Sequence, residues 1–174
     1  MKKKYLFTVL FNIIMFGFAR SQNMQLETVQ NVDLNKYIGK WYEIALYPNR
    51  FEKDCYCTTA EYELTTKKYI KVTNTCRKKS INGEIKSIVG KAFVVEGSGN
   101  AKLKVQFFFP FKGDYWIIDL ADDYSYAVVS EKTKKYLWIL SRTPKMNEEI
   151  YESILKKIEL KGFDIQRIVK TEQI

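Results

Sequence analysis

Histidine is absent from all 174 residues. Without it there is no Ser-His-Asp triad, no Cys-His pair and no ordinary zinc ligand set, so three large enzyme classes fall away together. Three prolines and eight glycines exclude collagen-like or low-complexity character. No apolar run reaches the ~20 residues that span a bilayer as a helix; the longest, Tyr5 to Phe18, has 14. Cysteine is scarce and odd in number, with only Cys55, Cys57 and Cys76. Their spacing fits no structural zinc pattern, so neither a metal nor a cofactor is expected.

What is present describes one globular domain. Hydrophobic residues make up 46% and charged residues 28%, enough to build a core and too apolar for a disordered chain. The first residues read as a signal peptide covering 1–21: Lys2, Lys3 and Lys4, the apolar run, then Ala19-Arg20-Ser21 as a cleavage site. The chain from 22 to 174 is then a single exported domain with its core over 32–169. No cysteine stands just after the apolar run, the first being Cys55, so lipid attachment there is not expected. The destination is the periplasm, the outer-membrane surface or the medium. Removing residues 1–21 takes away Lys2, Lys3, Lys4 and Arg20 and lowers the formal charge from +9 to +5. The remaining cations are interspersed, and no run exceeds Arg77-Lys78-Lys79. Nucleic acid is therefore not an expected partner, while attraction to an anionic membrane surface stays open.

From Trp41 to Ser141 the chain breaks into short segments rich in Val, Ile, Tyr, Phe and Thr, with a turn about every ten residues. Strands are predicted near 41–47, 57–65, 69–76, 86–96, 101–109, 114–121, 124–130 and 136–141. Eight antiparallel strands with short connections predict an all-β, up-and-down barrel, closed on itself and wide enough for one small ligand. Asn147 as N-cap, Glu148 and Glu149 in the first turn, and a stripe of Ile150, Ile154, Leu155 and Ile158 predict one C-terminal α-helix packed outside. Gly162 ends it, and Phe163 to Val169 is expected to return as a short strand.

Alternation assigns the interior face. Ala60, Tyr62 and Leu64 alternate with glutamates that must face water. Leu103, Val105, Phe107 and Phe109 form a second inward row, and Asp119 predicts Trp116, Ile118 and Leu120 as a third. Tyr136, Trp138 and Leu140 make a fourth. A hairpin centred on Thr66-Lys67 sets Cys57 opposite Cys76 and leaves Cys55 free; Cys55–Cys76 is the competing pair, served by a bulge. The same register leaves Lys71 open to the interior.

Gly39-Lys40-Trp41-Tyr42-Glu43 opens the first strand, and Ser141-Arg142-Thr143-Pro144 follows the last, about a hundred residues on. With Thr59-Ala60-Glu61-Tyr62, Gly90-Lys91-Ala92 and Tyr136-Leu137-Trp138 between them, these motifs resemble the lipocalins, in particular the bacterial outer-membrane members and apolipoprotein D. Asp122-Asp123-Tyr124 matches the family's middle motif only in part. The resemblance implies that Gly39, Trp41, Tyr42 and Arg142 are structural. Trp41 would plug the closed end with the Arg142 guanidinium across its indole, and Trp138 would look into the pocket. It also implies a non-enzymatic carrier, a monomer or homodimer, for small hydrophobic ligands such as a fatty acid or lysophospholipid, serving lipid maintenance in the cell envelope. The rivals are a haem or siderophore binder, which would need tyrosine, cysteine or inward cations, and a thiol-dependent isomerase.

Overall fold

The computed structural model describes residues 25–174, so the leader read over 1–21 lies outside the described residues. Asp33 starts a short helix, α1 (Leu34–Tyr37), by accepting a hydrogen bond from the Asn35 amide. Eight strands follow: β1 (Gly39–Leu46), β2 (Cys55–Leu64), β3 (Ile70–Lys78), β4 (Ile85–Val94), β5 (Lys102–Phe108), β6 (Phe111–Leu120), β7 (Tyr126–Ser130) and β8 (Leu137–Ser141). Each pairs antiparallel with the next, and β1 pairs with both β8 and β2, which closes the barrel.

The seam at β1 is short on one side. β2 pairs with it only over Gly39–Tyr42 and then departs. The C-terminal residues fill the gap. β9 (Val169–Lys170) pairs with Ala45 and Leu46, the Cys57 amide donates to Glu172 O at 2.8 Å, and Gln173 Nε2 donates to the carbonyls of Glu43 and Thr58. The strand expected over 163–169 is therefore mostly a 3-10 turn (Ile165–Arg167) with a two-residue strand after it.

Helix α2 (Glu148–Leu160) begins where Asn147 Oδ1 accepts from the Glu149 and Ile150 amides. It buries Tyr151, Ile154 and Ile158 against Ile118, Val128, Leu137 and Ile139 on the outer wall. Tyr151, rather than the predicted Ile150, completes the stripe, because Ile150 points to solvent.

Up-and-down topology sends alternate loops to opposite ends. The turns 65–69, 95–101 and 121–125 lie at the end where β1 begins, together with α1. The segment before α1 is tied there: the Val32 amide donates to Gly99 O at 2.8 Å and the Asp33 amide to the Tyr124 hydroxyl at 2.8 Å. Loops 47–54, 79–84, 109–110 and 131–136 lie at the other, open end.

Candidate ligand-binding site

The closed end is built around one indole. Trp41 is fully buried, and its Nε1 donates to Tyr37 O at 2.8 Å. The Arg142 guanidinium carbon stands 3.7 Å from the ring centroid. The same guanidinium donates to the carbonyls of Lys36, Tyr37 and Lys40, at 2.5, 3.2 and 3.0 Å. Those carbonyls include the free C-terminal end of α1, so one side chain stacks the floor and caps the helix that covers it. Gly39 holds φ +90° at the entry to β1, a left-handed conformation that disfavours any side chain.

Above the indole the lower half of the barrel is filled. Val72, Ala92, Leu103, Ile117 and Val129 are buried in one cluster with Trp41 and Tyr62. Three tyrosine hydroxyls then meet: Tyr62 donates to Tyr115 at 2.8 Å, and Tyr115 lies 2.7 Å from Tyr37. Burial raises the pKa of all three, so each stays protonated. Three hydroxyl protons share two such bonds, so one donor always remains for another partner.

Ala60, Val105, Phe107 and Trp138 pack against the same cluster yet are only partly buried. Phe107 packs against Gly90, where an added Cβ would stand 2.7 Å from the ring, so the glycine is a packing requirement. Asn74 faces Ala60 across β2–β3, and its buried Oδ1 has no hydrogen-bond partner among the described residues. Tyr136 stacks on Trp138 at 5.8 Å. Trp138 Nε1 donates to Glu52 at 2.9 Å, and Asn49 Nδ2 donates to the same oxygen at 2.6 Å. Glu43, opposite Leu140 in register, is 3% exposed and accepts from Thr171 Oγ1 at 2.5 Å. Burial first, and the Glu52 carboxylate second, hold its carboxyl well above the usual range.

Several sequence expectations need correction. A bulge between Ile117 and Asp119 resets alternation in β6. Trp116 and Ile118 therefore face α2 on the outside, and Tyr115 and Ile117 take the interior; Leu120 points inward as expected. Leu64 keeps inward parity but ends its strand beyond the floor and is 46% exposed. Phe109 sits in the two-residue turn after β5 and is 89% exposed. The β2–β3 hairpin has its centre one half-step later than expected, which pairs Lys71 with Glu63 on the outer face at 2.8 Å. The disulfide is Cys55–Cys76, with Cα atoms 5.5 Å apart, and Cys57 is free. A bulge between Tyr56 and Thr59 decides this: Cys55 lies opposite Lys78, two residues from Cys76 on the same face, while Cys57 sits in the bulge at φ +50°.

Sequence reasoning overlooked α1, Tyr37, Asn74, the pair Glu43 and Glu52, and the tyrosine cluster. Glu43 was findable, since it stands two residues after inward Trp41.

Residues 32–173 match the model of the lipocalin-like domain family. The chain is a lipocalin. It is 36% identical to the outer membrane lipoprotein Blc of Vibrio cholerae over 169 residues, covering 97% of this chain and 98% of that one. Over 162 residues it is 36% identical to temperature-induced lipocalin-1 of Arabidopsis thaliana, covering 88% and 86%. The solved insecticyanin of the tobacco hornworm Manduca sexta superposes with a TM-score of 0.71 at 23% identity, over 86% of this lipocalin and 85% of that chain. Membership implies binding of a small hydrophobic ligand, and lipocalins typically bind and carry rather than catalyse. Among the described residues no helix is long and apolar enough to cross a membrane.

Proposed function

We propose that this lipocalin is a non-enzymatic carrier of single-chain lipids, a fatty acid or lysophospholipid, held with the tail in the upper half of the barrel and the headgroup at the open end. The observation that carries the reading is the contrast along one interior wall. Along β5, Leu103 near the floor is fully buried, whereas Val105 and Phe107 beyond it toward the open end are only partly buried, as is Trp138 near the open-end start of β8. Apolar surface left accessible gains about 0.8 kcal/mol for each methylene that covers it. Depth is limited by the tyrosine cluster, which favours a tail of modest length or a bent one. Glu43 and Glu52 line the upper wall, so an anionic headgroup is kept out of the interior and meets cations at the rim. An exported chain serving lipid exchange in the cell envelope is consistent with the leader-like start and with the outer membrane lipoprotein to which it is similar.

A titration of delipidated protein with a fluorescent fatty acid, followed by tryptophan quenching, tests this. Saturable one-to-one binding weakened by Trp138→Ala is expected. Absence of saturable binding by delipidated protein overturns the reading. Haem and siderophore binding gain no support from Lys71, which faces outward and pairs with Glu63.

A further inference from the structure

Cations that are scattered along the sequence gather at the open end. The β1–β2 loop carries Arg50 and Lys53. The β3–β4 loop and its flanking strand ends carry Arg77, Lys78, Lys79 and Lys86. Lys112 follows the β5–β6 turn, and Lys132, Lys134 and Lys135 lie between β7 and β8. Against these ten stand four carboxylates: Glu52, Asp54, Glu84 and Glu131. Beside them large apolar side chains face solvent. Phe108, Phe109 and Phe111 are 67%, 89% and 76% exposed around one turn, Phe51 is 61% exposed in the β1–β2 loop, and Ile85 at the start of β4 is 57% exposed. Exposed phenylalanines set among lysines are costly in water and suit an interface that is greasy below and negatively charged at its surface.

We propose that the open end docks on a bilayer containing anionic phospholipid, with the Phe108–Phe111 turn inserted and the surrounding cations on the headgroups. A second copy of the chain is the weaker candidate for this patch. Two open ends set face to face would oppose an excess of six positive charges with the same excess. Docking in this pose points the barrel mouth at the lipid, so a tail passes between bilayer and barrel without crossing water.

The test is co-sedimentation of the protein, as its cells process it, with vesicles of phosphatidylcholine alone or mixed with phosphatidylglycerol. Binding to the mixed vesicles is expected to be about tenfold tighter or more and to weaken as salt rises. The triple variant Phe108→Ser, Phe109→Ser, Phe111→Ser and the double variant Lys79→Glu, Lys112→Glu should each lower it about tenfold, while Lys67→Glu, Lys68→Glu at the closed end changes it little. All these side chains are exposed, so unchanged melting confirms that the variants fold. No vesicle binding, equal binding to both vesicle types, or full binding by the triple variant overturns the proposal. So does a dimer in light scattering that dissolves with the triple variant. No ligand is added to the barrel, so failure here leaves the carrier reading standing, and failure of the fatty-acid titration leaves docking standing.

Discussion

The two ends of one barrel are built to opposite rules. At the closed end every loose group is answered: the Arg142 guanidinium covers Trp41 and donates to three carbonyls, and the segment before α1 is pinned to two neighbouring turns. At the open end phenylalanines face water, the seam between β1 and β2 comes apart, and bulges interrupt the ladder near the rim. The same eight strands supply both ends, so the difference lies in the loops and in side chains a few residues apart. Packing is complete where the fold must be held and left incomplete where something else is to be met.

Breaking the closed end should therefore cost the most stability. Trp41→Ala removes the largest buried side chain of the floor and leaves a cavity, and denaturant unfolding should show a loss of about 3–5 kcal/mol. If the loss is near zero, the floor is not what holds the barrel. At the open end the chief constraint is covalent. Cys76→Ser opens the bridge to Cys55, a separation of 21 residues. In the chain-entropy model that removes about 2–4 kcal/mol, measured in the same way. Cys57→Ser, by contrast, should leave stability almost unchanged, since Cys57 is already free. A reversed order of the two serine variants would reassign the bridge.

How far the two ends were legible in the sequence differs for a physical reason. The closed end is carried by local motifs: Gly39-Lys40-Trp41 and Ser141-Arg142-Thr143 contain both halves of the stack. Strand count, barrel closure and the outer helix follow from alternation and turn spacing in the same way. What the sequence hides is set by bulges, which insert one residue and reverse every side chain beyond them. A bulge in the half of β6 nearer the closed end is why Trp116 and Ile118 exchange roles with Tyr115 and Ile117, and one in β2 near the rim is why Cys55 rather than Cys57 reaches Cys76. The charge asymmetry was equally hidden. Read linearly the cations are interspersed, and only a topology that returns alternate loops to one end brings Arg50, Lys79, Lys112 and Lys135 together.

Intermediate effects sharpen the contrast. Trp138→Ala should weaken fatty-acid binding about tenfold, whereas Trp138→Phe, which keeps a ring but loses the Nε1 donor to Glu52, should weaken it less. Equal losses in both would place the hydrogen bond, not the ring, at the centre of the site. Arg142→Lys keeps the charge yet cannot stack flat or donate in a fork, so a loss of about 1–2 kcal/mol in stability is expected, with ligand affinity untouched. A drop in affinity of the same size would mean that floor and mouth are coupled.

The smallest effect is on a slope. In the folded chain burial and the neighbouring Glu52 raise the Glu43 carboxyl well above its ordinary value of 4.5, so the folded state holds this proton more tightly than the unfolded chain does. The sign follows from linkage: the contribution is complete below the ordinary glutamate range and is lost as pH rises through the raised folded value. Stability should then decline from mildly acidic pH upward. Glu43→Gln has no proton to lose, and its amide keeps an acceptor for Thr171 Oγ1 and gains a donor for Glu52. The variant should therefore match the wild-type chain in acid and exceed it slightly at neutral pH, read from unfolding midpoints across that range. Parallel curves for the two proteins would show that Glu43 is not the source, and that the mouth of the barrel tolerates two carboxylates without cost.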